Sequence, residues 1–148
     1  MPLNAVKFGL DTSCLIPLLA TWHEHHAETF TAFESRLRRG HKAIVAIHAL
    51  VECYSVLTRL PKPHRLAPEQ ARELLATTVI ANCDLAGLPP GRSWSVLEDL
   101  ASRGLGGGIA YDALIAEAVQ QAGATVLLTW NVRDFQSAAP RGLEVRQP

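Results

Sequence analysis

Short apolar runs alternate along this chain with longer segments that have helical spacing, and this alternation limits the folds open to it. Five runs have the composition of strands: residues 4–10, 42–47, 78–83, 124–129 and 143–146. Five segments have the periodicity of helices: residues 23–39, 48–60, 69–77, 93–103 and 111–122. Strands that alternate with helices form α/β domains with a mostly parallel sheet. We therefore expect one α/β domain over residues 1–148, with the last strand at a sheet edge.

Residues that favour helix ends support several of these boundaries. Gly40 and Gly123 each follow a helical segment, and Pro61 ends the segment before it. Ser93 is expected to cap the helix that runs to residue 103, since a serine hydroxyl can accept from the first free backbone N–H groups. Residues 104–108, which contain four glycines, are expected to form a loop.

Four acidic residues lie at or beside the ends of apolar segments: Asp11, Glu52, Asp112 and Asp134. In an open parallel sheet, ligands bind beyond the carboxyl ends of the strands, and Asp11 and the segment 129–134 are both placed there. Carboxylates gathered at one edge repel one another unless a cation lies between them. The pattern therefore predicts a metal site.

Each of these acids also has a purely structural interpretation. Asp11 can cap the turn after its strand, and Asp112 can stabilise the N-terminus of its helix. Glu52 can be a surface residue, alone or paired with Arg59, and Asp134 can be a turn former. Four independent coincidences at one end of one sheet are less plausible than a shared site.

The formal net charge is zero, from 14 Lys plus Arg and 14 Asp plus Glu. If the four acids share bound cations, ten acidic residues remain against the 14 basic ones, which leaves a balance of plus four. Eleven of the basic residues are Arg, whose planar guanidinium suits forked contacts to phosphate. This balance is compatible with a nucleic-acid substrate.

The cysteines and the N-terminal region indicate the cellular setting. Cys14, Cys53 and Cys83 are odd in number, widely spaced and flanked by apolar residues, so we expect buried free thiols rather than a disulfide or zinc framework. No apolar stretch is long enough to span a bilayer, and the start lacks the features of a secretory signal. We expect a cytoplasmic protein.

Four segments resemble the motifs of PIN-domain ribonucleases. They are Asp-Thr-Ser at 11–13, the helical Glu52, Tyr-Asp-Ala-Leu-Ile-Ala at 111–116, and Thr-x-Asn-x-x-Asp-Phe at 129–135. The resemblance covers nearly the whole chain in order and spacing, and no acid of the pattern is missing. Within that group the chain is similar to the VapC-type toxins of bacterial toxin–antitoxin pairs.

The resemblance implies a three-layer α/β/α PIN-like domain that cuts single-stranded RNA with Mg²⁺ or Mn²⁺. By that analogy Asp11 and Asp112 are the metal ligands, while Glu52 and Asp134 complete the catalytic acidic pocket. It also implies a homodimer and an antitoxin partner whose C-terminal segment places an Arg or Lys in the acidic groove. The supporting residues, expected to orient the ligands, are Ser13, Thr129 and Asn131.

The residue types fit this chemistry on their own. Mg²⁺ prefers oxygen ligands, keeps several waters and is often held by one or two carboxylates plus substrate phosphate. Glu52 or Asp134 is a candidate to accept a proton from the attacking water. Arg133, next to Asp134, is the best candidate for a contact to an RNA phosphate.

Several other interpretations remain open at this stage. Haloacid-dehalogenase phosphatases also begin with an Asp after their first strand, but they need a second Asp where this chain has Ser13. A response-regulator receiver needs an acidic pair at the end of its first strand, which is absent here. A housekeeping RNA-processing nuclease and a non-catalytic RNA-binding or partner-binding module share the same pattern. The three histidines His23, His25 and His26 do not meet the His-Glu-x-x-His zinc motif, because Ala27 occupies the last position. They are expected to lie in a solvated helix start.

Overall fold

The computed structural model describes residues 5–148, and five parallel strands form its central sheet. The strands are β1 (Lys7–Leu10), β2 (Lys42–Ala46), β3 (Cys83–Ala86), β4 (Val126–Leu128) and β5 (Glu144–Arg146), in the spatial order β3-β2-β1-β4-β5. The helices are α1 (Thr12–Leu19), α2 (His26–Arg38), α3 (Ile47–Arg59), α4 (Pro68–Leu75), α5 (Pro90–Ser102), α6 (Ile109–Gln121) and α7 (Val132–Ala138). The predicted parallel α/β sheet with an edge strand at the C-terminus is confirmed.

The register of the sheet brings three strand ends to one place. Leu10, the last residue of β1, pairs with Val45 of β2 on one side and with Leu128 of β4 on the other. The residues that follow these strands, which are Asp11, the start of α3 and Thr129, therefore meet at the same edge. This is the edge at which the sequence predicts a site.

Helices cover both faces of the sheet, as the three-layer prediction requires. Phe8 points to one face and contacts Phe33 of α2 edge-on, with ring centroids 6.3 Å apart. Gly9 points to the other face, where a Cβ atom would lie 3.0 Å from the Cβ of Val119 on α6. A larger residue at position 9 would push α6 away from β1, so this glycine sets how closely α6 approaches the sheet.

Several local predictions are wrong, and each has a physical reason. Residues 78–82 are not a strand: a π-helical turn, Ala76–Ile80, extends α4, and β3 begins only at Cys83. Ser93 does not cap α5, which starts at Pro90 with Pro89 as its N-cap, because proline suits the first helical turn.

Helices α1 and α7 were not predicted at all. Pro17 lies inside α1, where a proline is normally unfavourable, yet the helix forms with Asp11 as its N-cap. The segment read as a turn around Asp134 is the first turn of α7. Both missed helices begin at the predicted site, so their N-termini add backbone N–H groups to it.

The structure bears on the predictions for the three cysteines, for a membrane span and for the first strand. Cys14 and Cys53 are buried, Cys83 is half-buried, and all three thiols are free. Within residues 5–148 we find no helix of the length and apolar character needed to cross a membrane. The first predicted strand starts at residue 4, which lies outside the described residues; the part from Lys7 to Leu10 is a strand. The assignment of residues 1–148 to a single domain stays a prediction.

Candidate active site

Asp11 is held at the end of β1 by hydrogen bonds on both carboxylate oxygens. Its Oδ1 accepts from the Ser13 hydroxyl at 2.7 Å and from the backbone N–H of Cys14 at 3.2 Å. Its Oδ2 accepts from the Thr129 hydroxyl at 2.8 Å. The side chain is therefore an N-cap, as its structural interpretation proposed, and it is also fixed in orientation by two hydroxyl groups.

A small network joins this carboxylate to the chain after β4. The Ser13 Oγ accepts from the backbone N–H of Trp130 at 2.9 Å, and the Thr129 Oγ1 accepts from the backbone N–H of Asn131 at 2.9 Å. Ser13 and Thr129 each donate to Asp11 directly, which is the contact that an orienting role requires, and that role stays a prediction. The Asn131 side chain makes no capping bond to α7 and is exposed, so its predicted orienting role is supported only through its backbone.

Burial perturbs the acidity of Asp11. The residue is only 3% exposed, and burial raises the pKa of its carboxyl group from 3.8 to about 6, against the opposing effect of the hydrogen bonds from Ser13, Thr129 and Cys14. No cationic side chain offsets its charge among the causes of this shift. An ionised carboxylate in such a position is favourable when a cation binds beside it.

The other three acids lie close enough to act on one another. Asp112, in the first turn of α6, has its pKa raised by burial, then by the charges of Asp134 and Glu52. Asp134 is exposed in the first turn of α7, and Glu52 lies midway along α3. Three carboxylates from three helices therefore share one electrostatic environment, and their union with Asp11 in one pocket stays a prediction.

His48 is a member of this pocket that the sequence analysis missed. Its Nε2 lies 3.3 Å from Oε1 of Glu52, one turn along α3, and its charge opposes the upward shift of the Asp112 pKa. Its ring stacks on that of Tyr111 with centroids 4.9 Å apart and an interplanar angle of 12°. The i, i+4 spacing of His48 and Glu52 was the available signal; Arg59, the partner considered for Glu52, does not form this pair.

Two further features complete the surroundings. The Thr12 hydroxyl is buried and lacks a hydrogen-bond partner among the residues described. Arg133, in the first turn of α7 beside Asp134, is exposed. Burying a hydroxyl unpaired is unfavourable, so Thr12 marks a place where a ligand or water is expected.

The arrangement fits a hard divalent cation that keeps part of its water shell. The donor groups are carboxylate and hydroxyl oxygens, which are the ligands such ions prefer. Across the described range no group of three or more His, Cys, Asp or Glu side chains is placed to hold a metal ion. A site with one or two protein ligands and open positions is therefore the form that these residues support, with Asp11 and Asp112 as the candidate ligands.

Comparison with known proteins agrees with this geometry. Residues 9–139 match the family model of the PIN domain. Ribonuclease VapC40 of Mycobacterium tuberculosis is 39% identical over 141 residues, covering 91% of this chain and 94% of that protein. Ribonuclease VapC27 of the same organism is 39% identical over 113 residues, covering 76% of this chain and 77% of that protein.

Solved structures show the same fold. A chain in the crystal structure of VapBC2 from Rickettsia felis, bound to a DNA fragment from their promoter, superposes with a TM-score of 0.70. The superposition covers 97% of this chain and 100% of that chain at 16% identity, so it bears on the fold alone. The family match and the two relatives show that the chain belongs to the PIN domain family, in its VapC ribonuclease group.

Proposed function

We propose that this chain hydrolyses phosphodiester bonds of RNA with the help of Mg²⁺ or Mn²⁺, which Asp11 and Asp112 would hold. The observation that carries the proposal is the set of carboxylates at one sheet edge, with a buried Asp11 and an Asp112 whose pKa is raised by burial and by two neighbouring acids. The relatives at 39% identity are named ribonucleases, which supports RNA as the substrate.

The residues of the site have different roles in the proposed hydrolysis. Ser13 and Thr129 hold both oxygens of Asp11 in one orientation, so this ligand needs little reorganisation when a cation binds. A divalent cation supplies positive charge at the phosphate and makes water more acidic. Glu52 or Asp134 accepts the proton of the attacking water, and the exposed Arg133 contacts a phosphate of the strand.

A cleavage assay on labelled single-stranded RNA tests the nuclease. We expect cleavage with Mg²⁺ or Mn²⁺, loss of cleavage in EDTA, and recovery when either ion is added back in excess. Unchanged cleavage in EDTA would rule out the metal requirement. Binding of RNA without any cleavage would favour the alternative of a non-catalytic module.

We also propose that the chain is a cytoplasmic toxin with a cognate antitoxin. The named relatives are VapC proteins, and the structural neighbours are in part VapBC complexes. An acidic pocket of this kind suits a partner that inserts an Arg or Lys, because a cation on the partner replaces metal charge.

Expression in a bacterial host separates this function from RNA housekeeping. We expect growth arrest when the chain is induced alone, and normal growth when the product of the adjacent upstream gene is co-induced. An inactive Asp112→Asn variant is the matched control and should not arrest growth. Growth that continues at normal rate while RNA is cleaved in vitro would favour the housekeeping nuclease.

A second copy of the chain is the proposed partner for one face of α3. Ile47, Val51 and Tyr54 are 44%, 61% and 39% exposed, and their i, i+4, i+7 spacing places them on one stripe of the helix. An exposed apolar stripe of this kind is typical of a helix that packs against another surface. The implied homodimer would bury it.

Replacing Val51 tests the dimer. Val51→Glu should raise the dissociation constant of the dimer at least about tenfold, because it places a charge in an apolar contact. Sedimentation at several protein concentrations measures this constant. Ile80→Glu is the control, since Ile80 is 49% exposed on the π-helical turn outside α3. A monomeric wild-type chain, or a dimer insensitive to Val51→Glu, would contradict the assignment of this face.

A further inference from the structure

Five rings form a continuous row that starts beside the acidic pocket. Trp130 stacks on His25 with centroids 3.9 Å apart and an interplanar angle of 12°, and His25 lies 5.7 Å from His23. The row continues from His23 to Trp22 at 5.8 Å and ends with Trp22 stacked on His64 at 3.9 Å and 19°. We name this set the aromatic row; it extends from the end of β4 to the loop after α3.

The first ring of the row is coupled to the buried carboxylate of the site. The backbone N–H of Trp130 donates to Ser13 Oγ at 2.9 Å, and the same hydroxyl donates to Asp11 at 2.7 Å. The indole N–H of Trp130 donates to Thr29 Oγ1 at 3.0 Å, which fixes the ring in its plane. The row therefore begins within two hydrogen bonds of Asp11 and is rigid at that end.

The aromatic row packs against the core at Trp130 and reaches the surface towards Trp22. Trp22 is 48% exposed, the His25 side chain is 35% exposed, and Trp130 is half-buried. A large indole in this position leaves apolar area in water, which favours a ligand that covers it. Residues 23–26 lead into α2 and are partly solvated as predicted, but His23 and His25 also stack or pack in the row.

The charge of the row favours bases over phosphates. Burial, and after it the nearby charge of His25, lowers the pKa of His23, which disfavours the charged form of this ring. Positive charge lies instead at the far end, where Lys62 and Arg65 flank His64 and are exposed. Aromatic faces beside a basic flank are the combination that binds single-stranded nucleic acid with little sequence preference.

We infer that the aromatic row binds the unpaired bases of an RNA segment next to the phosphate that is cut. This inference deepens the proposed function and depends on it for the identity of the ligand. The bases stack on the exposed surface of Trp22, and the basic flank near His64 contacts the backbone. In a duplex the bases are paired and stacked on each other, so the row discriminates against double-stranded RNA.

Binding measured without cleavage tests the row. Wild-type protein in EDTA is titrated into fluorescein-labelled single-stranded RNA, and into the same strand annealed to its complement, with anisotropy as the readout. We expect tighter binding of the single strand. Trp22→Leu keeps an apolar side chain but removes the π face, so it should weaken single-strand binding about 5- to 100-fold, the loss of roughly one stacked base.

Two further variants keep the result interpretable. Trp22→Phe retains an aromatic face and should restore most of the affinity, which a purely structural role for the indole would not require. Trp94→Leu is the matched control, because Trp94 is 63% exposed on α5 outside the row and its loss should leave binding unchanged. The quenching of tryptophan fluorescence by RNA should also decrease in Trp22→Leu.

Equal affinity of the wild-type chain for single and double strands would overturn the inference. So would an unchanged affinity of Trp22→Leu in a folded protein, or equal losses in Trp22→Leu and Trp94→Leu. Failure of the proposed hydrolysis is visible separately: RNA then binds the row in EDTA, but no cleavage follows when Mg²⁺ is added.

Discussion

Asp112→Asn should reduce the kcat/KM for cleavage of single-stranded RNA by at least about 100-fold at saturating Mg²⁺. The substitution keeps the size of the side chain but removes one of the two proposed charged ligands, and charge at the reacting phosphate contributes several kcal/mol to catalysis of this kind. Repulsion among Asp112, Asp134 and Glu52 also decreases, so the variant should unfold at the same temperature as the wild-type chain or higher in EDTA.

The matched control for this experiment is Asp84→Asn. Asp84 is an exposed carboxylate on β3, at the far side of the sheet order from β4, and it undergoes the same chemical change. Its activity should stay within about twofold of wild type, as surface substitutions away from a site do. Calorimetric titration with Mn²⁺ should show weaker ion binding for Asp112→Asn and unchanged binding for Asp84→Asn. Full activity of Asp112→Asn would remove Asp112 from the ligand set.

The parts of the site that the sequence predicts are those set by strand ends. Asp11 and Thr129 each follow a short apolar run that forms a strand. A parallel sheet brings the carboxyl ends of its strands together whatever the conformation of the loops. The position of Asp112 could also be predicted from the sequence. Its helix presents Ile115, Ala116 and Val119 to the core and carries the acid on the same side.

What the sequence did not predict depends on contacts between distant segments. Helix α1 is stabilised by Asp11 as its cap and by burial of most of its residues, and these tertiary effects outweigh the unfavourable Pro17. The aromatic row joins residues from three separate loops, so no local pattern marks it. Only the His48–Glu52 pair had a local signal, the spacing of one helical turn.

The negative charge of Asp11 should support catalysis, but it should lower the free energy of unfolding of the chain when no metal ion is bound. Its pKa is about 6 in the folded chain against 3.8 for an unperturbed group, so the folded state binds this proton more tightly than the unfolded state does. Below pH 3.8 both states are protonated and no penalty exists. As the pH rises from 3.8 to 6 the unfolded state loses the proton first, and stability falls; above pH 6 the penalty is complete, at about 3 kcal/mol.

Asp11→Asn should therefore increase the free energy of unfolding in EDTA by up to about 3 kcal/mol at pH 8 and by little at pH 4. The amide can retain the network, because its oxygen accepts from Ser13 and Cys14 while its N–H donates to Thr129 Oγ1. Urea unfolding of both proteins at the two pH values measures the difference. Asp84→Asn, which is exposed, should show no such pH-dependent gain.

Adding Mg²⁺ at pH 8 should reduce the stability difference between wild type and Asp11→Asn. Ion binding stabilises the folded wild-type chain in proportion to RT ln(1 + [Mg²⁺]/Kd), whereas the Asn variant has lost a ligand and gains little. The gap between the two unfolding curves should narrow as the ion concentration rises, while cleavage by the variant remains at background. If Asp11→Asn is less stable than wild type at pH 8 in EDTA, the hydrogen bonds to the carboxylate outweigh its burial, and Asp11 is a structural cap before it is a metal ligand.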